Sequence, residues 1–272
     1  MSGDAFPPPP PPGAPGGSST PPPPPPPPGL TAPAGYVAYN TAPTHGGQLS
    51  SIRGTAKWAM ICAGIAGLAS LASALLSANL ASKAQDFLDG RISEDEFLDA
   101  NAIAPLGQIL GGAPLIAAAV FGVIWMYRIA TNVRAIGRRT TFAPVFAILG
   151  WFLPPFLFVV PLLVLRELWK ASDPETPAGS EGWRASGENP LLYVWFVLYG
   201  IIPTILTALS ISSVFDAALN LDTDAQSVAE VTAATDGPQL LIGGVVSVIS
   251  AIVWMLLIKQ FTARHVALTG ER

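Results

Sequence analysis

Apolar positions in this chain fall in long unbroken runs, not in the alternating or one-faced patterns that build a soluble core. Four runs have the length of a bilayer crossing: Trp58–Leu80, Leu106–Tyr127, Leu191–Ser213 and Leu240–Ile258. Each is close to the roughly 20 residues that a hydrocarbon layer of about 30 Å requires of a helix. The first run predicts an uncleaved signal anchor, because the residues before it lack the basic start and cleavage site of a signal peptide.

A fifth run, Phe142–Leu165, is as long but carries Pro144, Pro154, Pro155 and Pro161. The central Pro154-Pro155 pair removes two helix hydrogen bonds and sets ring against carbonyl one turn back. Each half is then about 15 Å of helix, too short to cross. Such backbone is tolerated at membrane depth only against protein or water. The pattern predicts an all-α integral membrane protein with four transmembrane helices in two hairpins. A proline-broken re-entrant or interfacial segment at 142–165 lies between them.

Residues 1–52 read differently. They hold Pro7–Pro12, Pro15, Pro21–Pro28, Pro33 and Pro43, which are 17 of the 28 prolines. Proline runs adopt polyproline II, so the eight-residue run is a rod of about 25 Å. Too few apolar residues surround it to form a core. The reading is a disordered proline-rich tail (1–52), a membrane domain (53–265) and a short second tail (266–272). Pro7–Pro12 and Pro21–Pro28 suit either a spacer or a ligand for an aromatic-lined groove on a cytoplasmic protein partner.

Charge fixes the expected orientation. Only 12% of residues are charged, against about 25% in soluble domains. If 142–165 does not cross, one side holds twelve of the 14 Lys and Arg, and the other only Lys83 and Arg91. If it crosses, the split becomes six and eight. The positive-inside bias favours the first arrangement, with both termini cytoplasmic in a plasma (inner) membrane. The outer loops are then acidic: Asp86, Asp89, Glu94, Asp95, Glu96 and Asp99 in one, Asp216, Asp222, Asp224, Glu230 and Asp236 in the other. The halves resemble each other as span, acidic loop and span, the second span reaching Trp125-Met126 or Trp254-Met255 before basic residues.

Candidate chemistry is sparse. The span cores contain no Asp, Glu, Lys, Arg or His, which disfavours a proton-coupled transporter or pump. One cysteine, Cys62, and two distant histidines, His45 and His265, make no metal constellation, so no metal or cofactor is expected. Nor is there a basic face for nucleic acid. Small residues recur at four-residue spacing (Ala59, Ala63, Gly67; Ala66, Ser70, Ala74, Ala78; Gly107, Gly111; Gly243, Ser247, Ala251), suited to packing within the chain or in a homo-oligomer. In the first outer loop Ser93 and Glu96 form a capping box and Gly90 suits a helix end; the spacing does not match a calcium loop.

The most distinctive stretch is 125–173. It carries Arg128, Asn132, Arg134, Arg138 and Arg139, then Gly150-Trp151, then Arg166, Glu167, Trp169 and Lys170. These residues suggest a cytoplasmic basic shelf under the hairpin, binding anionic membrane lipids or a protein partner. Glu167 is expected to pair locally with Arg166; without a second acid, histidine or metal it makes a poor active site. The spacing Trp125-x-x-Arg128-x-x-x-Asn132, with Pro144, Gly150-Trp151-Phe-x-Pro154, Pro161, Arg166-Glu167-x-Trp169-x-Ala-Ser172 and Trp195, resembles the bacterial membrane family called domain of unknown function 4328. The resemblance covers about residues 55–265. It implies a bacterial inner-membrane protein, often with a proline-rich cytoplasmic tail, and supplies no activity.

The expected function is a non-enzymatic membrane scaffold or adaptor that recruits partners through its tail. The alternative is a passive transporter or channel, its hydrated path lined by Asn132, Thr204, Thr207 and Ser210.

Overall fold

The computed structural model describes residues 49–152, 159–209, 224–235 and 237–271. The proline runs, the Pro154-Pro155 turn and residues 210–223 lie outside them. The described residues form only helices. They are α1 (Arg53–Leu88), α2 (Glu94–Asn101), α3 (Ala104–Ala135), the single turn α4 (Phe146–Leu149), α5 (Val159–Ala171), α6 (Leu191–Leu209), α7 (Ala225–Ala233) and α8 (Gly237–Thr269). Four helices are long and apolar enough to cross a membrane: α1, α3 (continuous with α2 in this respect), α6 and α8. They contain the four predicted runs; the end of the third run lies outside the described residues. α8 continues past the boundary expected at 265.

α1 is the central helix, packed along both α3 and α8. The small-residue stripes explain how. A Cβ added at Gly67 would come within 2.8 Å of the Ala251 Cβ, and one at Gly244 within 2.8 Å of the Ala74 Cβ. Gly107 and Gly111 face Ser73 of α1. Without side chains at these points, α1 and α8 backbones approach closely enough for dispersion contacts along their length. Gly67, Gly107, Gly111 and Gly244 thus spend their small size inside the chain.

At 36 residues α1 is about 54 Å long, well over the bilayer core. Its far end carries α2 and α7 around Ala84, Phe97 and Ala229. Phe87 stacks on Phe97 at 5.2 Å. α1 stops at Gly90, whose φ of 72° is the left-handed conformation that glycine adopts freely. The Ser93 hydroxyl caps α2 by accepting the Glu96 N–H at 3.3 Å. The Glu96 carboxylate does not return to Ser93 but pairs with Lys83 at 3.2 Å. Arg91 pairs with Asp86 and Asp89, so the acidic loop neutralises part of its own charge.

The two-hairpin repeat is visible in the architecture. Each half is a long helix, a short helix with a side-chain N-cap (Ser93 for α2, Asp224 for α7), and a long helix. Their matched tryptophans, Trp125 and Trp254, meet edge to face at 6.0 Å.

The segment between the halves starts and ends at one level. Glu167 of α5 accepts the N–H groups of Thr141 and Phe142, at 2.5 and 3.1 Å. The two ends of the fifth run therefore lie side by side. α5, at 13 residues, is about 20 Å long and is not among the four crossing helices. Pro161 is a buried residue of α5.

Candidate functional site

The ends of α3, α5 and α8 and the starts of α1 and α6 converge on one polar collar. Its centre is Asn132, 2% exposed on α3. The Asn132 Oδ1 accepts the Ser50 N–H and its Nδ2 donates to the Ser50 carbonyl, both at 2.8 Å. The second Nδ2 hydrogen faces His265 Nε2 on α8 at 3.3 Å. Since an amide NH2 only donates, Nε2 is the acceptor. The imidazole proton then sits on Nδ1 and is donated to Ser172 Oγ at 3.0 Å. The sequence separates these groups by as much as 215 positions, and no local spacing ties His265 to Ser172.

The order Ser172–His265–Asn132 superficially suggests a nucleophile, a base and an orienting amide. The geometry opposes that use. His265 gives its proton to Ser172 and does not receive one, and Ser172 and His265 have no exposed surface. A general base must instead accept the nucleophile's proton beside an accessible substrate position.

Around this centre the helix ends are closed by side chains from distant positions. α1 begins at Ile52, which offers no capping side chain. The cap comes from Glu271: its carboxylate accepts the Ile52 N–H at 3.1 Å and the Arg53 N–H at 3.3 Å, with the Ser51 hydroxyl alongside. Negative charge at a helix N-terminus meets the four unpaired N–H groups and the positive dipole end. Burial works against the Glu271 carboxylate, but the hydrogen bonds from Ser51, Ile52 and Arg53 outweigh it and hold its pKa below the usual value.

Arg138 does the converse at the end of α5. It is fully buried and donates to the carbonyls of Ala171 at 2.6 Å, Asp173 at 2.8 Å and Thr176 at 2.5 Å. Burial pushes its guanidinium pKa down, with the Asp173 charge opposing. Arg264 of α8 crosses the same corner, bonding the Trp169 carbonyl at 3.2 Å, Asp173 at 2.9 Å and Ser186 at 2.6 Å, with its guanidinium 4.8 Å above the Trp169 ring.

The ten residues singled out from the sequence are thus divided. Arg128 holds the Ser51 carbonyl at 2.8 Å. Arg134 holds Thr140 and Phe142. Arg166 and Lys170 share Glu188, Lys170 at 2.9 Å. Trp169 donates to the Gly187 carbonyl at 3.1 Å. The expected Arg166–Glu167 pair does not form, because adjacent residues on a helix point about 100° apart and each finds a partner in a different loop. Arg139 is exposed, and its carbonyl accepts from Arg184 at 2.8 Å. Trp151 is not in the collar; it lies just after α4, against Trp195, Tyr199 and Trp254. Glu188, which sequence reading passed over, is the anionic hub: hydrogen bonds from Arg166, then Tyr193 and Lys170, hold its carboxyl down at about 2.

Beside Trp151 is a second feature, a cavity of about 560 Å³ between α3 and α6, backed by α1 and α8. Asn132, Thr204 and Thr207 do not line it, and Ser210 lies outside the described residues. The expected polar path therefore does not run through this cavity. Asn132 is committed to Ser50 and His265, and the Thr204 hydroxyl bonds the Gly200 carbonyl of its own helix at 2.6 Å.

The family described as Domain of unknown function (DUF4328) matches residues 88–263, a span that includes most of the collar and both cavity walls on α3 and α6. No curated protein and no solved structure matches the chain.

Proposed function

The chain belongs to the family of domain of unknown function DUF4328, and we propose that it is a multi-pass anchor of a bacterial plasma membrane. In this reading it presents its proline-rich tail to cytoplasmic partners from a fixed root. The observation that carries the proposal is the grip on residues 50–53. Asn132 holds both main-chain groups of Ser50, Arg128 holds Ser51, and Glu271 caps Ile52 and Arg53. A merely flexible tether needs no such clamp. A proline-rich segment tethered at a fixed root has a restricted reach, which raises its effective concentration near the membrane face.

Four crossing helices with their ends gathered in one arginine-rich collar support the orientation with this end in the cytoplasm. The segment 142–165 is then a re-entrant hairpin that enters and leaves on the cytoplasmic side. The collar's cations are largely spent on carbonyls and on Glu188. The exposed Lys57, Arg139 and Lys259 remain for anionic lipid headgroups. The reading contains no catalytic step.

The test is co-purification in matched detergent of the full chain and of a version lacking residues 2–48, which keeps the Ser50 clamp. A cytoplasmic protein retained only by the full chain supports the anchor reading. Identical partners, or none, in both preparations removes it.

A further inference from the structure

We infer that the cavity between α3 and α6 is a binding site for an uncharged, membrane-soluble molecule with a compact apolar body. Its volume of about 560 Å³ is that of a small-molecule site. The floor and one wall are aromatic: Trp151, Trp195, Tyr199 and Trp254, with ring centroids 5.1 to 6.4 Å apart. The opposite wall, on α1 and α3, is built mostly of Ala, Gly and Ser, with Leu115 and Val123, and the small residues leave the space open.

No described lining residue carries a charge, so a charged group entering would lose its hydration without a partner. The lining residues Leu115 and Tyr199 are exposed on helices long and apolar enough to cross a membrane, which favours an apolar entrant. On α8, Trp254 stands eleven residues from His265 of the collar, about 16 Å along the axis.

The backbone of α6 adds an independent pointer. Beside the cavity, at Val197–Ile201, the helix widens into a π-turn. Such turns are strained relative to the α-helix and concentrate at functional sites. This one carries Leu198 and Tyr199 into the cavity wall.

The test uses the full chain in lipid nanodiscs and a clickable benzophenone, a neutral apolar body with one ketone acceptor. Photolabelling followed by peptide mapping should give saturable labelling on α3, α6 and Trp151–Phe152, displaced by excess unlabelled benzophenone. Ala119→Trp fills the space from α3 and should cut saturable labelling at least fivefold; Ala113→Trp, on α3 but not lining the cavity, should not. A thermal melt of each variant separates loss of the site from loss of the fold. Labelling that never saturates, or that Ala119→Trp leaves unchanged, overturns the proposal. So does equal labelling of the cavity by a phosphatidylcholine with a mid-chain diazirine that benzophenone fails to displace, for the space is then simply lipid-filled.

Discussion

The side-chain amide of Asn132 grips the main chain of Ser50 at both its N–H and its carbonyl, each at 2.8 Å. The pairing copies one rung of a sheet ladder, with a side chain standing in for the second strand. It joins the end of α3 to the residue where the proline-rich tail meets the membrane domain. Asn132→Ala leaves Ser50 and His265 Nε2 without their partner. The expected cost is about 2 kcal/mol, read as a lower melting temperature in detergent. Trypsin should also cut faster after Arg53. Unchanged cleavage with an unchanged melt would show that the clamp does not hold the root.

Glu271 gives a pH dependence with a definite sign. Its folded pKa lies below the ordinary 4.5, so its cap contributes fully above that value and is lost as pH falls through the folded one. Glu188 acts in the same direction, its contribution fading between 4.5 and about 2. Glu271→Gln should therefore lower stability at neutral pH by no more than about 1 kcal/mol, the carboxylate being partly exposed. The gap to wild type should close toward pH 3. A gap that is constant with pH would mean the carboxylate charge plays no part.

The close crossing of α1 and α8 predicts opposite outcomes at two glycines. Gly67→Ala drives a methyl to 2.8 Å from Ala251 and should destabilise by about 1–3 kcal/mol. Gly112→Ala, whose new Cβ meets nothing within 4 Å, should be neutral or slightly stabilising by helix propensity. Thermal melts of the two variants side by side decide it; equal destabilisation would contradict the packing described.

How far the sequence foretold this structure depends on the range of the interactions. Apolar runs are local, so the four long helices were legible, as were the Ser93 cap and the Gly90 stop. The meeting of Trp125 with Trp254 follows from the repeat once two like-oriented hairpins pack together. The collar was legible in composition but not in wiring. The arginines of 128–139 read as a surface shelf because sequence gives their charge and not their acceptors. Arg138 proves buried because the last carbonyls of α5 need donors, and α5 arrives only through tertiary folding. His265 and Glu271 were invisible for the same reason: their partners Ser172 and Ile52 are remote in the chain.

The side-by-side ends of the fifth run yield a topological prediction. Thr141 and Phe142 bond Glu167, and Arg138 bonds Ala171. Residues on either side of 142–165 therefore lie at one end of the helix bundle, and α6 starts where α3 ended. Ser180, partly exposed in the loop after α5, lies at that end. With the arginine-rich end in the cytoplasm, Ser180→Cys in a Cys62→Ser background should resist an impermeant thiol reagent applied to intact cells, and react once the cells are opened. Asp95→Cys, exposed on α2 at the opposite end, should react from outside. If both positions react from outside, the segment crosses and the hairpin reading fails. If Ser180→Cys alone reacts, the fold stands and the orientation is reversed, which would put the tail on the outer side and leave it no cytoplasmic partner to recruit.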